Sequence, residues 1–259
     1  MTTRESRRPL LEICVDSVAG IDAAMGGGAD RIELCSALET GGLTPSAGLT
    51  ALAVERCIAA HIPVHAMVRP RSGDFAYDAT ELDHAIAEGV TLADQNVHGL
   101  VFGGARHGRI DSDIAERWIA AVRERIGRPL AFTFHRAIDL VDDPVAAVDM
   151  VAGLGFTHIL TSGGARTAPD ATDVIAAMVA RAAGRLEVIA GSGVRPDNVA
   201  ALVDATGVTA VHTSASRPVG PAEARVAAMG FSVAATRRTD ADIVARCKMA
   251  LDNKSNVRH

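Results

Sequence analysis

The chain has 259 residues, of which 48% are hydrophobic and 22% are charged, and its formal net charge is −5. That length suits one large α/β domain, and the hydrophobic content excludes a disordered chain. The acidic balance, with one tryptophan and one tyrosine, provides neither a basic surface nor an aromatic platform for nucleic acid. No apolar run is long enough for a transmembrane helix. We therefore expect no nucleic-acid partner and no membrane partner.

The two ends of the chain are predicted to be tails. Residues 1–9 are basic but lack the apolar core of a signal peptide, and residues 252–259 follow the last helical pattern. We expect residues 10–251 to form a single domain. The four cysteines, Cys14, Cys35, Cys57 and Cys247, show no CxxC spacing, which favours reduced thiols and a cytoplasmic location.

Short apolar segments alternate with helical patterns along the whole domain. Eight strands are predicted, at 10–17, 30–37, 63–70, 99–105, 130–137, 158–164, 186–193 and 210–215. Helices are predicted near 18–27, 45–60, 79–93, 111–126, 143–153, 170–183, 196–205 and 240–251. Eight strand–helix units predict a closed (β/α)₈ TIM barrel, an α/β fold. The alternative, an open doubly wound sheet, is less favoured because no GxGxxG follows the first strand.

The middle strand shows which side chains face the barrel interior. In LAFTFHRAID (130–139), Phe132 and Phe134 alternate with Thr133 and His135. Because strand side chains alternate between faces, the phenylalanines should lie under the helices and His135 should point inward. The strand then leads to Arg136 in the following loop.

The same alternation places several polar side chains inside the barrel. Leu11 and Ile13 should face the helices. The inward set is then Glu12, Cys14, Glu33, Cys35, His65, Arg69, His135 and His212. Buried charges must pair or bind a ligand. We therefore predict a site, with Glu12, Glu33, His65 and His135 as candidate catalytic acids and bases, and an internal salt-bridge network remains the alternative.

A second group of residues suggests an anion site at the carboxyl ends of the strands. Arginines end strands three and five, and LTSGG (160–164) and AGSGVRPDN (190–198) form glycine-rich turns that enter helices. Guanidinium groups and free backbone N–H groups bind anions well. The predicted anion-binding or substrate-binding residues are Arg69, Arg71, Arg136, Ser162, Gly163, Ser192, Gly193 and His212.

The segment 216–237 is long for a loop that follows a barrel strand, and it contains two prolines. It could cover the mouth of the barrel, or it could be an irregular insert.

Several strings of the sequence resemble the CutC family. They are EICVDS (12–17), GADRIELCSALETGGLTPS (28–46), PVHAMVRPRSGDFAY (63–77), TFHRAID (133–139), ILTSGG (159–164) and HTSA (212–215). The resemblance implies a (β/α)₈ barrel, a cytoplasmic protein and a role in copper homeostasis. It also implies copper(I) as ligand, with Cys14 and Cys35 matching the family's proposed copper ligands. We further expect a homo-oligomer.

Three functional classes remain open at this point. The first is copper binding, and the second is an enzyme acting on a small anionic or phosphorylated metabolite. The third is a binding protein without chemistry. Schiff-base aldolase chemistry is excluded because the only lysines, Lys248 and Lys254, follow all the strands.

Overall fold

The structure is a computed structural model that describes residues 8–220, 223–230 and 236–256. Eight parallel strands form the barrel: β1 (Leu10–Val15), β2 (Arg31–Leu34), β3 (Val64–Met67), β4 (Gly99–Phe102), β7 (Ala131–Phe134), β8 (His158–Thr161), β9 (Glu187–Gly191) and β10 (Ala210–Thr213). They close in the order β1-β10-β9-β8-β7-β4-β3-β2. The predicted TIM barrel is confirmed.

Helices follow the barrel strands and cover the outside. They are α1 (Val18–Gly26), α2 (Ala47–Ile58), α3 (Ala79–Asp94), α4 (Ser112–Ile126), α5 (Pro144–Gly153), α6 (Thr172–Ala182), α7 (Val199–Thr206) and α9 (Ala241–Asn256). The side chain of Asp111 caps α4 and that of Asp143 caps α5, each accepting a backbone N–H from the first turn. Within the described residues, no helix combines the length and the apolar character needed to cross a membrane.

The core between strands and helices contains the residues that the alternation assigned to it. Leu11 and Ile13 are fully buried there. Trp118 of α4 stacks on Phe102 at 4.4 Å and meets Phe132 edge-on at 5.7 Å between ring centroids. Burial of such large aromatic side chains is a major source of folding free energy. The opposite face of each strand is therefore left for the barrel interior.

Two small antiparallel hairpins lie outside the barrel sheet. The first pairs β5 (Ala105–Arg106) with β6 (Arg109–Ile110). The second pairs β11 (Ser216–Val219) with β12 (Thr236–Thr239), with the short helix α8 (Ala224–Ala228) between them. This second hairpin is built from the predicted insert 216–237, and its described residues Thr236 and Arg237 border the mouth of the barrel. Residues 221–222 and 231–235 of the insert lie outside the described residues.

Candidate active site

The strand register brings the inward polar side chains together. Glu12 pairs in register with His212 on β10, Cys14 pairs with Glu33 on β2, and Glu33 pairs with His65 on β3. Neighbouring strands lie about 4.8 Å apart, so these side chains are in contact range. Single ligand atoms of Glu12, Glu33 and His212 all lie within 4.8 Å of one another.

Glu12 is a buried carboxylate with two cationic partners. Its Oε1 lies 2.7 Å from Nδ1 of His212, and its Oε2 accepts a short hydrogen bond from Nε of Arg31. Burial alone would raise the pKa of this carboxyl, but Arg31 and His212 outweigh it and hold the pKa well below its usual range. Glu12 is therefore a fixed negative charge inside the barrel.

The barrel interior raises the pKa values of both His212 and Glu33 above those of exposed groups. Burial disfavours the imidazolium, yet Cys14, Glu33 and Glu12 raise the pKa of His212 well above its usual value. Burial and the charge on Glu12 raise the pKa of Glu33. Oε2 of Glu33 has no hydrogen-bond partner among the described residues. An imidazolium donor thus lies beside a carboxyl with a free oxygen.

Arg31 is an essential member of this cluster that the sequence interpretation missed. Its side chain is almost fully buried and bridges Glu12 to Glu187, whose Oε2 lies 3.6 Å from Nη1. Residue 31 has the same alternation parity as Glu33, so the pattern DRIEL contained the signal that would have found it.

A cavity of about 1230 Å³ opens above the cluster, at the carboxyl ends of the strands. This is the end at which TIM barrels carry their active sites. Among the predicted site residues, those that line the cavity are Cys14, Glu33, Arg69, His135, Arg136, Ser192, Gly193 and His212. Glu12 and His65 lie deeper in the barrel, where burial and Arg31 lower the pKa of His65 to about 3.

Three residues predicted to bind an anion are directed elsewhere. Arg71 pairs with Glu81 and Asp74 on the outer side of the β3–α3 loop. Ser162 and Gly163 lie in the turn after β8, outside the cavity lining.

That turn is already filled by a carboxylate of the chain itself. Asp139 accepts hydrogen bonds from Oγ1 of Thr161 at 2.6 Å, from the backbone N–H of Ser162 at 3.0 Å and from that of Gly164 at 3.2 Å. Arg136 reaches the same carboxylate through Nε at 2.8 Å. The donors that could have cradled an external phosphate are occupied.

The Glu12–Glu33–His212 cluster does not fit a resident metal ion. Its oxygen and imidazole donors are those of a hard or borderline cation and not of copper(I). Moreover, the Arg31 guanidinium binds Glu12 directly, and the raised pKa of His212 favours the protonated ring, which cannot act as a ligand. These groups neutralise one another without an ion.

Of the two cysteines proposed as copper ligands, Cys14 lies on β1 and Cys35 directly follows the neighbouring strand β2, and both are buried free thiols. Cys14 borders the cavity, whereas Cys35 is fully buried against Met67 and Val101. The Cys35 thiol donates to Oε1 of Glu33 at 3.5 Å, and burial together with the charges of Glu33 and Cys14 raises its pKa well above the usual value.

Comparison with known proteins identifies close relatives. The model of the CutC family matches residues 9–217. A family protein CutC from Caulobacter vibrioides is 43% identical over 249 residues, covering 95% of this chain and 98% of the relative. A human protein named copper homeostasis protein cutC homolog is 41% identical over 80% of this chain and 73% of its own length.

Solved structures agree with the fold. The CutC protein of Streptococcus agalactiae superposes with a TM-score of 0.74 at 29% identity, covering 80% of this chain and 98% of that protein. A thiamine phosphate pyrophosphorylase from Pyrococcus furiosus gives a TM-score of 0.59 at 12% identity, covering 95% of this chain and 97% of its own, a likeness of fold alone.

Proposed function

The chain belongs to the CutC family, and we propose that it is an enzyme that transfers protons on a small anionic metabolite at the mouth of its barrel. The observation that supports this most is the juxtaposition of Glu12, His212 and Glu33, of which His212 and Glu33 line an open cavity. Buried titratable groups with shifted pKa values in a cleft are typical of functional sites.

Each residue of the cluster has a distinct role in this proposal. Glu12 accepts from Nδ1 of His212 and so fixes the orientation of the ring. The imidazolium of His212 acts as the general acid. Glu33, whose Oε2 has no hydrogen-bond partner within the described residues, acts as the general base, and its raised pKa brings it closer to neutral pH. Arg31 is a positioning residue that keeps Glu12 ionised.

The test is hydrogen exchange on the reacting metabolite. The protein is incubated in D₂O with a small-metabolite extract, and mass spectrometry identifies compounds that gain deuterium or disappear. We expect such compounds with the wild type and not with Glu33→Gln. Glu39→Gln, at the exposed rim of the same cavity, is the matched control and should behave as the wild type. Identical metabolite profiles for wild type and Glu33→Gln would exclude the assigned role of Glu33.

Copper(I) binding is the second candidate function. The specific observation in its favour is that Cys14 and Cys35 share the barrel interior closely enough for the charge of one to raise the pKa of the other. Thiolates are the preferred ligands of copper(I). Since the Cys35 thiol resists deprotonation, copper binding should release protons and strengthen as pH rises.

Competition with a copper(I) chelator tests this second candidate. Cys14→Ser and Cys35→Ser should each weaken binding if copper is the cargo, while Cys57→Ser, on the outer helix α2, is the matched cysteine control. Equal affinity in all four proteins would exclude the pair as ligands.

We also propose a cytoplasmic location, supported by four unpaired cysteines, and a homo-oligomeric assembly.

A further inference from the structure

Arg69 is a buried cation without a carboxylate partner among the described residues. Its side chain lines the cavity and is only 5% exposed. Nη1 donates to the carbonyls of Thr40 at 2.9 Å and Gly42 at 3.1 Å, and Nη2 donates to the carbonyl of Gly73 at 2.8 Å. These neutral acceptors fix the guanidinium but provide no opposite charge, and Nε has no hydrogen-bond partner among the described residues. A buried charge in this state favours an anionic ligand.

His135 supplies a second unpartnered donor. Its Nδ1 accepts the backbone N–H of Ala137 at 3.2 Å, so Nδ1 carries no proton. Burial and the neighbouring Arg69 lower the pKa of the ring to about 3, which keeps it neutral. The single ring proton therefore sits on Nε2, which has no hydrogen-bond partner in the described part of the chain and belongs to a side chain that is 3% exposed.

The two donors belong to one subsite. The ring of Phe75 lies 4.8 Å from Cζ of Arg69 and 4.8 Å from the ring centroid of His135, and all three side chains line the cavity. The His135 ring packs directly over Gly103, where a Cβ would come within 2.7 Å of Nδ1. Close backbone approach at Gly103 thus sets the position of the ring.

We propose that Arg69 and His135 bind a carboxylate group of the metabolite that the barrel accommodates. One positive charge and two N–H donors match a singly charged group with two oxygens. A phosphate dianion would need further donors, and the turn after β8 that could provide them is filled by Asp139. Both nitrogens are buried, so an entering carboxylate has to displace a covering side chain, and the ring of Phe75 packs against both groups. This subsite names the substrate class of the proposed enzyme and rests on the proposed function in that respect. Carboxylate binding itself does not depend on whether the protein catalyses a reaction.

The experiment measures the melting temperature of the full chain with sodium acetate, sodium succinate or inorganic phosphate, against sodium chloride of matched ionic strength. A carboxylate at about ten times its Kd should raise Tm by about 3–5 °C. His135→Phe, which keeps a ring but removes the donor, should abolish this rise. Arg69→Lys, which keeps the charge but removes Nε–H, should reduce it. Arg195→Gln, at an exposed arginine that lines the same cavity and pairs with Asp197, is the matched control and should retain the rise.

The outcomes separate the binding site from the chemistry. No rise beyond chloride in the wild type, or an equal loss in Arg195→Gln, would overturn the subsite. A larger rise with phosphate than with the carboxylates would overturn the ligand class. The sodium chloride series measures how far each substitution lowers Tm without ligand, so that this loss is separated from a loss of ligand binding. If carboxylates bind and Glu33→Gln changes no metabolite, the subsite stands and the proposed function fails.

Discussion

Nδ1 of His212 lies 2.7 Å from Oε1 of Glu12, although the two residues are 200 positions apart in the chain. They meet because β1 and β10, the first and last barrel strands, pair in register at these two residues. Closure of the barrel and assembly of the candidate site are therefore the same event. Variants of this cluster should affect stability as well as activity.

Arg31→Met should destabilise the protein by roughly 3–5 kcal/mol, because it leaves Glu12 as a buried carboxylate without its guanidinium partner. Urea denaturation measures the change. Arg56→Met, which removes an exposed ion pair with Asp22, is the control and should cost less than about 1 kcal/mol. The double variant Arg31→Met/Glu12→Gln should recover part of the loss. A loss in Arg31→Met no larger than in Arg56→Met would contradict the account.

Acid should weaken the fold through its buried neutral histidines. The pKa of His65 is lowered to about 3 by burial and Arg31, whereas the unfolded chain takes up this proton near pH 6.5. Below pH 6.5 the unfolded state binds more protons than the folded state. The free energy of unfolding therefore decreases as the pH is lowered from 6.5 to about 3. The slope is up to about 1.4 kcal/mol per pH unit for each such histidine.

Unfolding free energies measured from pH 7 to pH 4 test this dependence. His65→Phe should have a shallower slope than the wild type. His84→Asn, on the exposed face of α3, is the matched control and should keep the wild-type slope. An unchanged slope in His65→Phe would show that His65 is not held neutral.

Asp139→Ala should destabilise the protein because it frees several donors at once, among them Oγ1 of Thr161 and the N–H groups of Ser162 and Gly164. Hydrogen bonds to a charged group contribute about 1.5–3 kcal/mol each, although losses in one network are not additive. Added phosphate should restore part of the lost Tm in this variant and not in Asp142→Ala, an acidic neighbour outside the turn. Absence of rescue would mean that the turn does not form an anion cradle without Asp139.

Three of the four thiols, those of Cys35, Cys57 and Cys247, should resist alkylation in the native protein. Burial raises the pKa of Cys57 and Cys247 to about 11, and Cys35 is shifted in the same direction. Iodoacetamide at pH 7 should therefore leave these three thiols unmodified in the native protein, while all four react in guanidinium chloride. Peptide mass spectrometry identifies the labelled positions. Rapid native labelling of Cys35 would contradict its buried environment.

The barrel fold could be predicted from the sequence because eight strand patterns alternate regularly with helical patterns that begin at capping residues. The same alternation correctly assigned Phe132 and Phe134 to the helix side and Glu12 and His212 to the interior. Each of these inferences depends on local periodicity, which a single sequence contains.

Partnerships across the barrel could not be predicted in the same way. Nothing near position 139 indicates that its carboxylate would occupy the turn at 162–164, since that contact depends on how two loops approach each other. The outward pairing of Arg71 with Glu81 likewise depends on the path of the β3–α3 loop. Arg31 is different, because its inward orientation was readable from the strand pattern.

If the cavity binds a small organic molecule, a combined metal and ligand analysis of the protein purified from its own cells should find that molecule. Native mass spectrometry and elemental analysis are applied to the wild type, to His135→Phe and to Cys14→Ser. We expect a bound carboxylic acid in the wild type, its loss in His135→Phe, and less than stoichiometric copper in both. One copper ion per chain, retained in His135→Phe and lost in Cys14→Ser, would contradict a cavity that serves an organic ligand.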